Sequence, residues 1–157
     1  MIYVECKPDA HLVQTLSGLG KKKVRHESNK SEICKRLEKE REVAALIDED
    51  PQSPKESYLR TLETNPKLLR ISKYHLKIFA DKKDNTVIVL SPRLEGWILK
   101  IARANKVDPK NFDLPDNENR LHEIINNKLD KFELLINALK RSEAFKMLAK
   151  TLKGSTR

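Results

Sequence analysis

The sequence is poor in the residues that build several common kinds of binding site. It contains four glycines and neither a Gly-x-Gly-x-x-Gly nor a Walker segment, which argues against nucleotide binding in a glycine-rich loop. The two cysteines, Cys6 and Cys34, are too few and too far apart for a disulfide framework or a self-contained zinc site. With one Trp, three Tyr and four Phe, the chain also has few rings for a platform that stacks single-stranded nucleic acid.

Long apolar segments are missing as well. The longest uninterrupted apolar run, residues 43–47, is far shorter than the roughly 20 residues that a membrane-spanning helix requires. The sequence opens with neither a basic leader nor an apolar segment before a small-residue cleavage site. We therefore expect a cytoplasmic protein that has no membrane partner and keeps its cysteines reduced.

Positive charge exceeds negative charge in this chain. The 157 residues include 32 Lys and Arg against 23 Asp and Glu, which gives a formal net charge of +9 at pH 7. Such a balance suits a polyanionic partner such as nucleic acid, because lysine and arginine displace the counterions that surround phosphates. A lysine-rich protein without such a partner has the same composition, so charge alone leaves both interpretations open.

The first third of the chain predicts alternating strands and helices. Strands are predicted over residues 1–5, 22–26 and 43–47, and helices over 10–16 and 31–39, where apolar residues recur at helical spacing. The third strand is continuously apolar, which is typical of a strand covered on both faces by helices. This order predicts an α/β fold with a mainly parallel sheet flanked by helices.

A hairpin and a capped helix are predicted next. Strands at 74–80 and 86–90 flank a short polar turn and should pair as a hairpin. Ser91 is predicted to cap the following helix and Pro92 to occupy its first position, with the helix continuing as far as Asn105.

Two parts of the chain follow from this pattern. Residues 1–110 are predicted to form the α/β domain and residues 117–157 a C-terminal helical extension, with a proline- and aspartate-containing connection between them. The extension could pack on the sheet, form the surface of a homodimer or lie along a polyanion. Its basic residues could equally be the solvated face opposite an apolar stripe; they are Lys140, Arg141, Lys146, Lys150 and Lys153.

Acidic residues follow two of the predicted strands. Glu5 ends the first strand, and the segment Asp48-Glu49-Asp50 ends the third. In an open parallel sheet, ligands bind beyond the carboxyl ends of the strands. If the third strand continued through Asp48, its pleat would place Asp48 and Asp50 on the same side, where they could share Mg²⁺ and support phosphoryl transfer. An acid cluster after a strand is also an ordinary turn or capping feature, so this alternative stays open.

A fourth acid opens the helix after the last predicted strand. Glu95 could add a carboxylate to the metal site, or it could simply complement the positive end of the helix dipole. Nearby Trp97 is expected to pack in the core. Four basic residues could contact substrate phosphates; they are Lys7, Lys55, Arg60 and Arg93.

These residues resemble the Toprim domains of topoisomerases, bacterial-type primases and certain nucleases. That family has a glutamate after its first strand, in Glu-Gly-x-x-Asp, and an Asp-x-Asp after its third. Here they look like Glu5-Cys6-Lys7-Pro8-Asp9 and Asp48-Glu49-Asp50. The segment Pro92-Arg93-Leu94-Glu95-Gly96-Trp97 is similar to one found in small Toprim-like proteins. The resemblance covers roughly residues 1–105 in the order of elements.

The resemblance implies a doubly wound, Rossmann-like sheet and a set of site residues. Glu5 would be the general acid/base or a carboxylate that faces the metal, and Asp48 and Asp50 would be ligands of Mg²⁺ or Mn²⁺. Cys6 stands where the family has glycine, a residue that permits positive φ or close approach of backbone. A cysteine there would be costly in either role.

Three functions are compatible with this pattern. The first is a metal-dependent, nuclease-like enzyme that transfers phosphoryl groups of nucleic acid, with Glu5, Asp48 and Asp50 as its catalytic residues. The alternative is a non-catalytic module that keeps the fold and binds nucleic acid or protein. A small phosphate ester as substrate is a third, because fold does not determine function.

Overall fold

The computed structural model describes residues 1–155 of the chain. Its strands are β1 (Ile2–Val4), β2 (Val24–His26), β3 (Ala44–Asp48), β4 (Leu69–Lys73), β5 (Leu76–Ala80) and β6 (Thr86–Leu90). Its α-helices are α1 (Lys7–Ser17), α2 (Lys30–Lys39), α3 (Ser57–Thr64), α4 (Leu94–Ala104), α5 (Glu118–Ile124), α6 (Leu129–Leu139) and α7 (Glu143–Gly154).

The strands form a six-stranded sheet in the order β2-β1-β3-β6-β5-β4. The strands β2, β1, β3 and β6 run parallel, whereas β5 and β4 continue the sheet as antiparallel neighbours of β6. The predicted α/β class, with a mostly parallel sheet flanked by helices, is therefore confirmed, and so is the hairpin of β5 and β6.

Two hydrophobic cores cover the two faces of the sheet. Ala44 and Leu46 of β3 point into one core together with α1, α4 and the C-terminal helices. Ala45 and Ile47 point into the other, where α2 and α3 pack. This alternation explains the continuous apolar run of β3, since both sides of the strand need apolar cover.

The C-terminal helices contribute to the first of these cores. The Phe145 ring of α7 stacks on the Trp97 ring of α4 with their centroids 5.3 Å apart. Phe132, Leu135 and Leu148 are fully buried in the same cluster as the strands. The predicted division of the chain near residues 110–117 thus remains a prediction, and Thr156 and Arg157, the last residues of the predicted extension, lie outside the described part.

Surface properties bear on two predicted partners. No helix within residues 1–155 is long and apolar enough to cross a membrane. In the described C-terminal helices, Leu134 is the large apolar side chain that stays substantially exposed, at 49%. A homodimer through these helices remains a prediction, because an isolated exposed leucine is ordinary on a monomer surface.

One strand was not predicted from the sequence. β4 pairs with β5 at the edge of the sheet, and four of its five residues are exposed. It therefore lacks the apolar alternation by which strands are recognised. The residues Tyr74 and His75, both with positive φ, form the turn between these strands, so Tyr74 belongs to the turn and not to the predicted strand.

The predicted cap of the helix after β6 is wrong. The helix α4 begins at Leu94, and Ser91 and Pro92, joined by a cis peptide bond, lie before it. The Leu94 N–H donates to Asp48 Oδ1 at 2.9 Å, so a carboxylate from the end of β3 caps this helix. The residue that satisfies the helix end is thus remote in sequence, where local capping patterns cannot show it.

Candidate functional site

Acidic side chains meet at the carboxyl edge of the parallel strands. Glu5 follows β1, Asp48 ends β3, and Glu95 lies in the first turn of α4, which follows β6. Because β1, β3 and β6 are neighbours in the sheet and run parallel, their carboxyl ends lie side by side. The topology therefore brings together three of the predicted site residues.

Two hydrogen bonds fix the segments that carry these acids. The Asp48 N–H donates to Glu5 Oε2 at 2.8 Å, which links the end of β1 to the end of β3. Asp48 Oδ1 in turn accepts from the Leu94 N–H and links β3 to the start of α4. Each bond uses one carboxylate oxygen and leaves the other oxygen of that side chain for a further partner.

Asp9 is the fourth acid of this site. It lies in the first turn of α1, is 1% exposed, and neither of its carboxylate oxygens has a hydrogen-bond partner of normal geometry. Glu95 is 3% exposed; its Oε1 lies 3.0 Å from His122 Nδ1, whereas its Oε2 is buried without a partner. Buried carboxylate oxygens without partners are rare because they lose hydration without compensation. We call Glu5, Asp9, Asp48 and Glu95 the carboxylate cluster.

The members of the carboxylate cluster raise the pKa of one another. Burial, followed by the negative charges of Asp9, Glu5 and Glu95, raises the pKa of Asp48 far above its ordinary value. Burial, with the charges of Glu5 and Glu95, likewise raises the pKa of Asp9, although the neighbouring Cys6 thiol offsets part of the rise. The carboxylate cluster therefore retains a proton near neutral pH, since its acids cannot all ionise together without a cation.

The pKa of Glu5 is subject to opposing effects. Burial raises its pKa most, while the hydrogen bond from the Asp48 N–H and the charge of Lys30 lower it. Lys30 is the first residue of α2, and its charge is the cationic contribution that reaches this carboxylate. A carboxyl whose pKa lies above its ordinary range is suited to give and take protons near neutral pH.

Stability should therefore fall as the pH rises. Between the ordinary pKa of aspartate, about 4, and the raised pKa values, the folded protein binds a proton that the unfolded chain has lost. One such proton gives a slope of about −1.4 kcal/mol in the free energy of unfolding per pH unit. Urea unfolding at a series of pH values from about 5 to 8 should show this decline, and a stability that increases over this range would contradict it.

Asp50 is less closely associated with the other acids. β3 ends at Asp48, and Asp50 has a left-handed conformation with φ of 47°, so the pleat does not extend to it as the prediction assumed. Its Oδ2 accepts from Ser53 Oγ at 2.7 Å. Its charge still contributes to the raised pKa of Glu5, which places it at the margin of the carboxylate cluster.

The four predicted phosphate contacts occupy different surroundings. Lys7 is exposed at the start of α1, and Arg60 is exposed on α3. Lys55 forms an ion pair with Glu63 of α3. Arg93 donates to Asn119 Oδ1 at 2.8 Å and lines a cleft of about 180 Å³ beside Asp50.

Sequence reasoning missed Asp9 and His122 as site residues. Asp9 occupies the motif quoted for the resemblance, and it also falls on the buried stripe of α1 with Leu12, Val13 and Leu16. An aspartate at a core-facing position was the signal that could have identified it. His122 gave no such signal, because its approach to Glu95 depends on how α5 packs on α4.

The backbone at Cys6 does not require a glycine. Cys6 precedes α1 with φ of −152° and ψ of 170°, which is ordinary extended backbone. The expected steric cost of a cysteine at this position is therefore not found. Burial raises the pKa of the Cys6 thiol, so it stays protonated and beside Asp9.

The fold and the carboxylate cluster define an α/β protein whose acids meet at the carboxyl edge of a mostly parallel sheet. Within residues 1–155, no three His, Cys, Asp or Glu side chains are arranged so that they could hold a metal ion together as they stand. No protein-family model, curated protein or solved structure matches this chain. The resemblance to Toprim domains consequently stays a prediction.

Proposed function

We propose that this chain is a Toprim-like protein whose carboxylate cluster binds Mg²⁺ or Mn²⁺ and acts on phosphodiester bonds of nucleic acid. The observation that carries the proposal is the burial of both Asp9 oxygens and of Glu95 Oε2, without hydrogen-bond partners of normal geometry, beside the carboxyl groups of Glu5 and Asp48. A cation is the partner that would remove this electrostatic cost.

The donor chemistry of these side chains suits a divalent cation of the hard, oxygen-binding type. Carboxylate oxygens are the ligands that Mg²⁺ and Mn²⁺ prefer. Asp9, Asp48 and Glu95 would hold the ion, with Glu5 and Asp50 adjoining it, and the side chains would have to rotate because no three of them in the described residues are arranged to share an ion as they stand. Such a rotation would break no hydrogen bond of normal geometry at Glu95 Oε2 or at either Asp9 oxygen. When bound, the ion would polarise a phosphoryl oxygen and stabilise the leaving oxygen.

The chain's own residues supply the remaining functions. Glu5, whose pKa burial raises, would accept a proton from the attacking water or hydroxyl and later return one to the leaving group. Arg93 and Lys7 flank the carboxyl edge and would neutralise phosphate charge. Nucleic acid is the substrate that the net charge of +9 favours.

The matched test compares wild type with Asp9→Asn and with Glu49→Gln. Glu49 directly follows Asp48 but is not among the main charges that raise the pKa of Asp9 or Asp48, so its variant controls for loss of one charge. We expect Mg²⁺ or Mn²⁺ to raise the melting temperature of wild type and Glu49→Gln, since ligands that bind only the folded state stabilise it. Asp9→Asn should respond much less.

Cleavage of mixed DNA and RNA is measured on the same proteins. Metal-dependent cleavage by wild type and Glu49→Gln, strongly reduced in Asp9→Asn, would support the proposal. If the metals neither stabilise nor activate wild type, the proposal is wrong.

The non-catalytic alternative is favoured by one observation. The described acids are not preassembled around a point where an ion could sit. A module of this kind would bind nucleic acid equally well with a chelator present and would show no metal-dependent cleavage.

A further inference from the structure

A groove lined by lysines lies at the far end of α1 from the carboxylate cluster. It has a volume of about 510 Å³, its lining includes the apolar residues Leu16 and Phe145, and none of the lining residues in the described part of the chain is acidic. Its lysines are Lys140, Lys146, Lys150 and Lys153. We call this feature the lysine groove.

The sequence of α7 places three of these lysines on one face of the helix. Lys146, Lys150 and Lys153 are spaced four and three residues apart, so they form a stripe about 10 Å long. The opposite stripe, which includes Phe145 and Leu148, is fully buried in the core. The basic residues of the predicted extension therefore include a regular stripe, and Lys140, which follows α6, lines the same groove.

Positive charge exceeds negative charge in this part of the sequence. Between residues 140 and 155 the chain has five basic residues and one acid, Glu143. Glu143 lies 3.5 Å from Lys146, and both side chains are largely exposed. Such exposed pairs contribute little, so the pair leaves Lys146 available to a stronger anion.

We propose that the lysine groove binds the phosphate backbone of double-stranded nucleic acid. The stripe of about 10 Å corresponds to about three steps of roughly 3.4 Å along the duplex axis, which is the rise between four successive phosphates of one strand. No side chain of the groove offers an exposed aromatic ring, since Phe145 is fully buried, so stacking on single-stranded bases is not available. Binding through lysines alone is independent of sequence and sensitive to salt.

Two other kinds of partner, an anionic membrane and a protein, fit the lysine groove less well. An anionic membrane would require apolar side chains that insert beside the lysines, but Leu16 and Phe145 are 7% and 0% exposed. A protein interface would favour aromatic and arginine side chains over lysine. The phosphate backbone requires only the spaced positive charges that the lysine groove provides.

The lysine groove is an affinity surface and not part of the reacting site. α1 has 11 residues and is therefore about 16 Å long, with Asp9 in its first turn and Leu16 near its last. This inference rests on the proposed function for the choice of nucleic acid, but it concerns different residues. It assigns binding to one end of α1 and chemistry to the other.

The test is fluorescence anisotropy of a labelled DNA duplex of about 20 base pairs, with chelator present, over a series of salt concentrations. The variant is the triple change Lys140→Ala, Lys146→Ala and Lys150→Ala. The control is the triple change Lys39→Ala, Lys67→Ala and Lys82→Ala, which removes the same charge from exposed lysines outside the groove. Melting temperatures establish that both variants are folded.

We expect the groove variant to lose at least tenfold in affinity and to lower the slope of log K against log salt concentration by about 2 to 3. The control variant should stay within a factor of three of wild type. Equal losses in both variants, or groove-dependent binding of phosphatidylserine vesicles without duplex binding, would overturn the inference. Asp48→Asn separates the two proposals. If wild type and Asp48→Asn both bind the duplex and wild type does not cleave it with metal present, the lysine groove is supported and the proposed chemistry is wrong.

Discussion

Replacing Asp48 by asparagine is expected to stabilise the protein and to abolish its response to divalent cations. At pH 7 the free energy of unfolding should rise by about 1–4 kcal/mol, because the variant removes the acid whose pKa burial and three neighbouring charges raise most. Asparagine keeps an oxygen that can accept from the Leu94 N–H, so the cap of α4 is retained. Its amide hydrogens can donate to the carboxylates that remain.

The two effects of Asp48→Asn have opposite signs, which makes the result informative. A substitution that merely damaged the fold would lower stability and metal response together. Urea unfolding without metal, and thermal unfolding with and without Mg²⁺, measure the two effects separately. Glu49→Gln is the control, with little change in either property expected. A destabilised Asp48→Asn protein would show that the acid is structural. A variant that still responds to metal would show that Asp48 does not hold the ion.

The gain in stability should also depend on pH. At pH values near the ordinary pKa of aspartate the unfolded chain is itself protonated, so the difference between variant and wild type should shrink. The gain should increase toward neutral pH, where the wild-type chain must keep a proton in order to fold. A gain that is constant with pH would indicate a packing effect.

Replacing Asn85 by alanine is expected to destabilise the protein strongly, by about 3–5 kcal/mol. Asn85 is 0% exposed and lies in the turn before β6. Its Oδ1 accepts from the Val43 N–H at 3.0 Å, and its Nδ2 donates to the Leu37 and Glu40 carbonyl oxygens at 2.9 and 3.0 Å. Alanine would leave these three backbone groups, of which the Val43 N–H and the Leu37 carbonyl are in buried hydrogen bonds, without this partner.

The stability that Asn85 contributes depends on where its side chain lies and not on the type of residue. Asn126, an exposed asparagine on the surface, is the matched control, and its change to alanine should alter stability by less than about 0.5 kcal/mol. Urea unfolding measures both values, with unchanged m-values expected if the change acts on the folded state. A loss below about 1 kcal/mol for Asn85→Ala would mean that water replaces the asparagine.

Asn85 also illustrates why some structural residues escape sequence reasoning. The polar turn at 81–85 was correctly predicted between β5 and β6, and asparagine is common in turns. What the turn does not reveal is that this side chain reaches the end of α2 and the start of β3. Those contacts span more than 40 residues of sequence, from Leu37 and Val43 to Asn85.

The carboxylate cluster, too, could be predicted from the sequence only in part. Glu5 and Asp48 were identified because each directly follows a strand, and the carboxyl ends of parallel strands share one edge. Asp50 was assigned a ligand role equal to that of Asp48, but its positive φ takes it out of the strand's alternation. Asp9 was passed over although it lies on the apolar stripe of α1, where a buried acid needs an explanation.

Sequence by itself determined the class of fold, the positions of most elements and the first acids of the site. These depend on short-range regularities, namely the period of apolar residues and the chemistry of turns, which are visible within a few residues. Tertiary structure decided the exposed edge strand β4, the cap that Asp48 supplies to α4, and the approach of His122 to Glu95. It also gathered separate lysines into one groove. Each of these depends on which strands and helices become neighbours, and that is set by the packing of the whole sheet and its two cores.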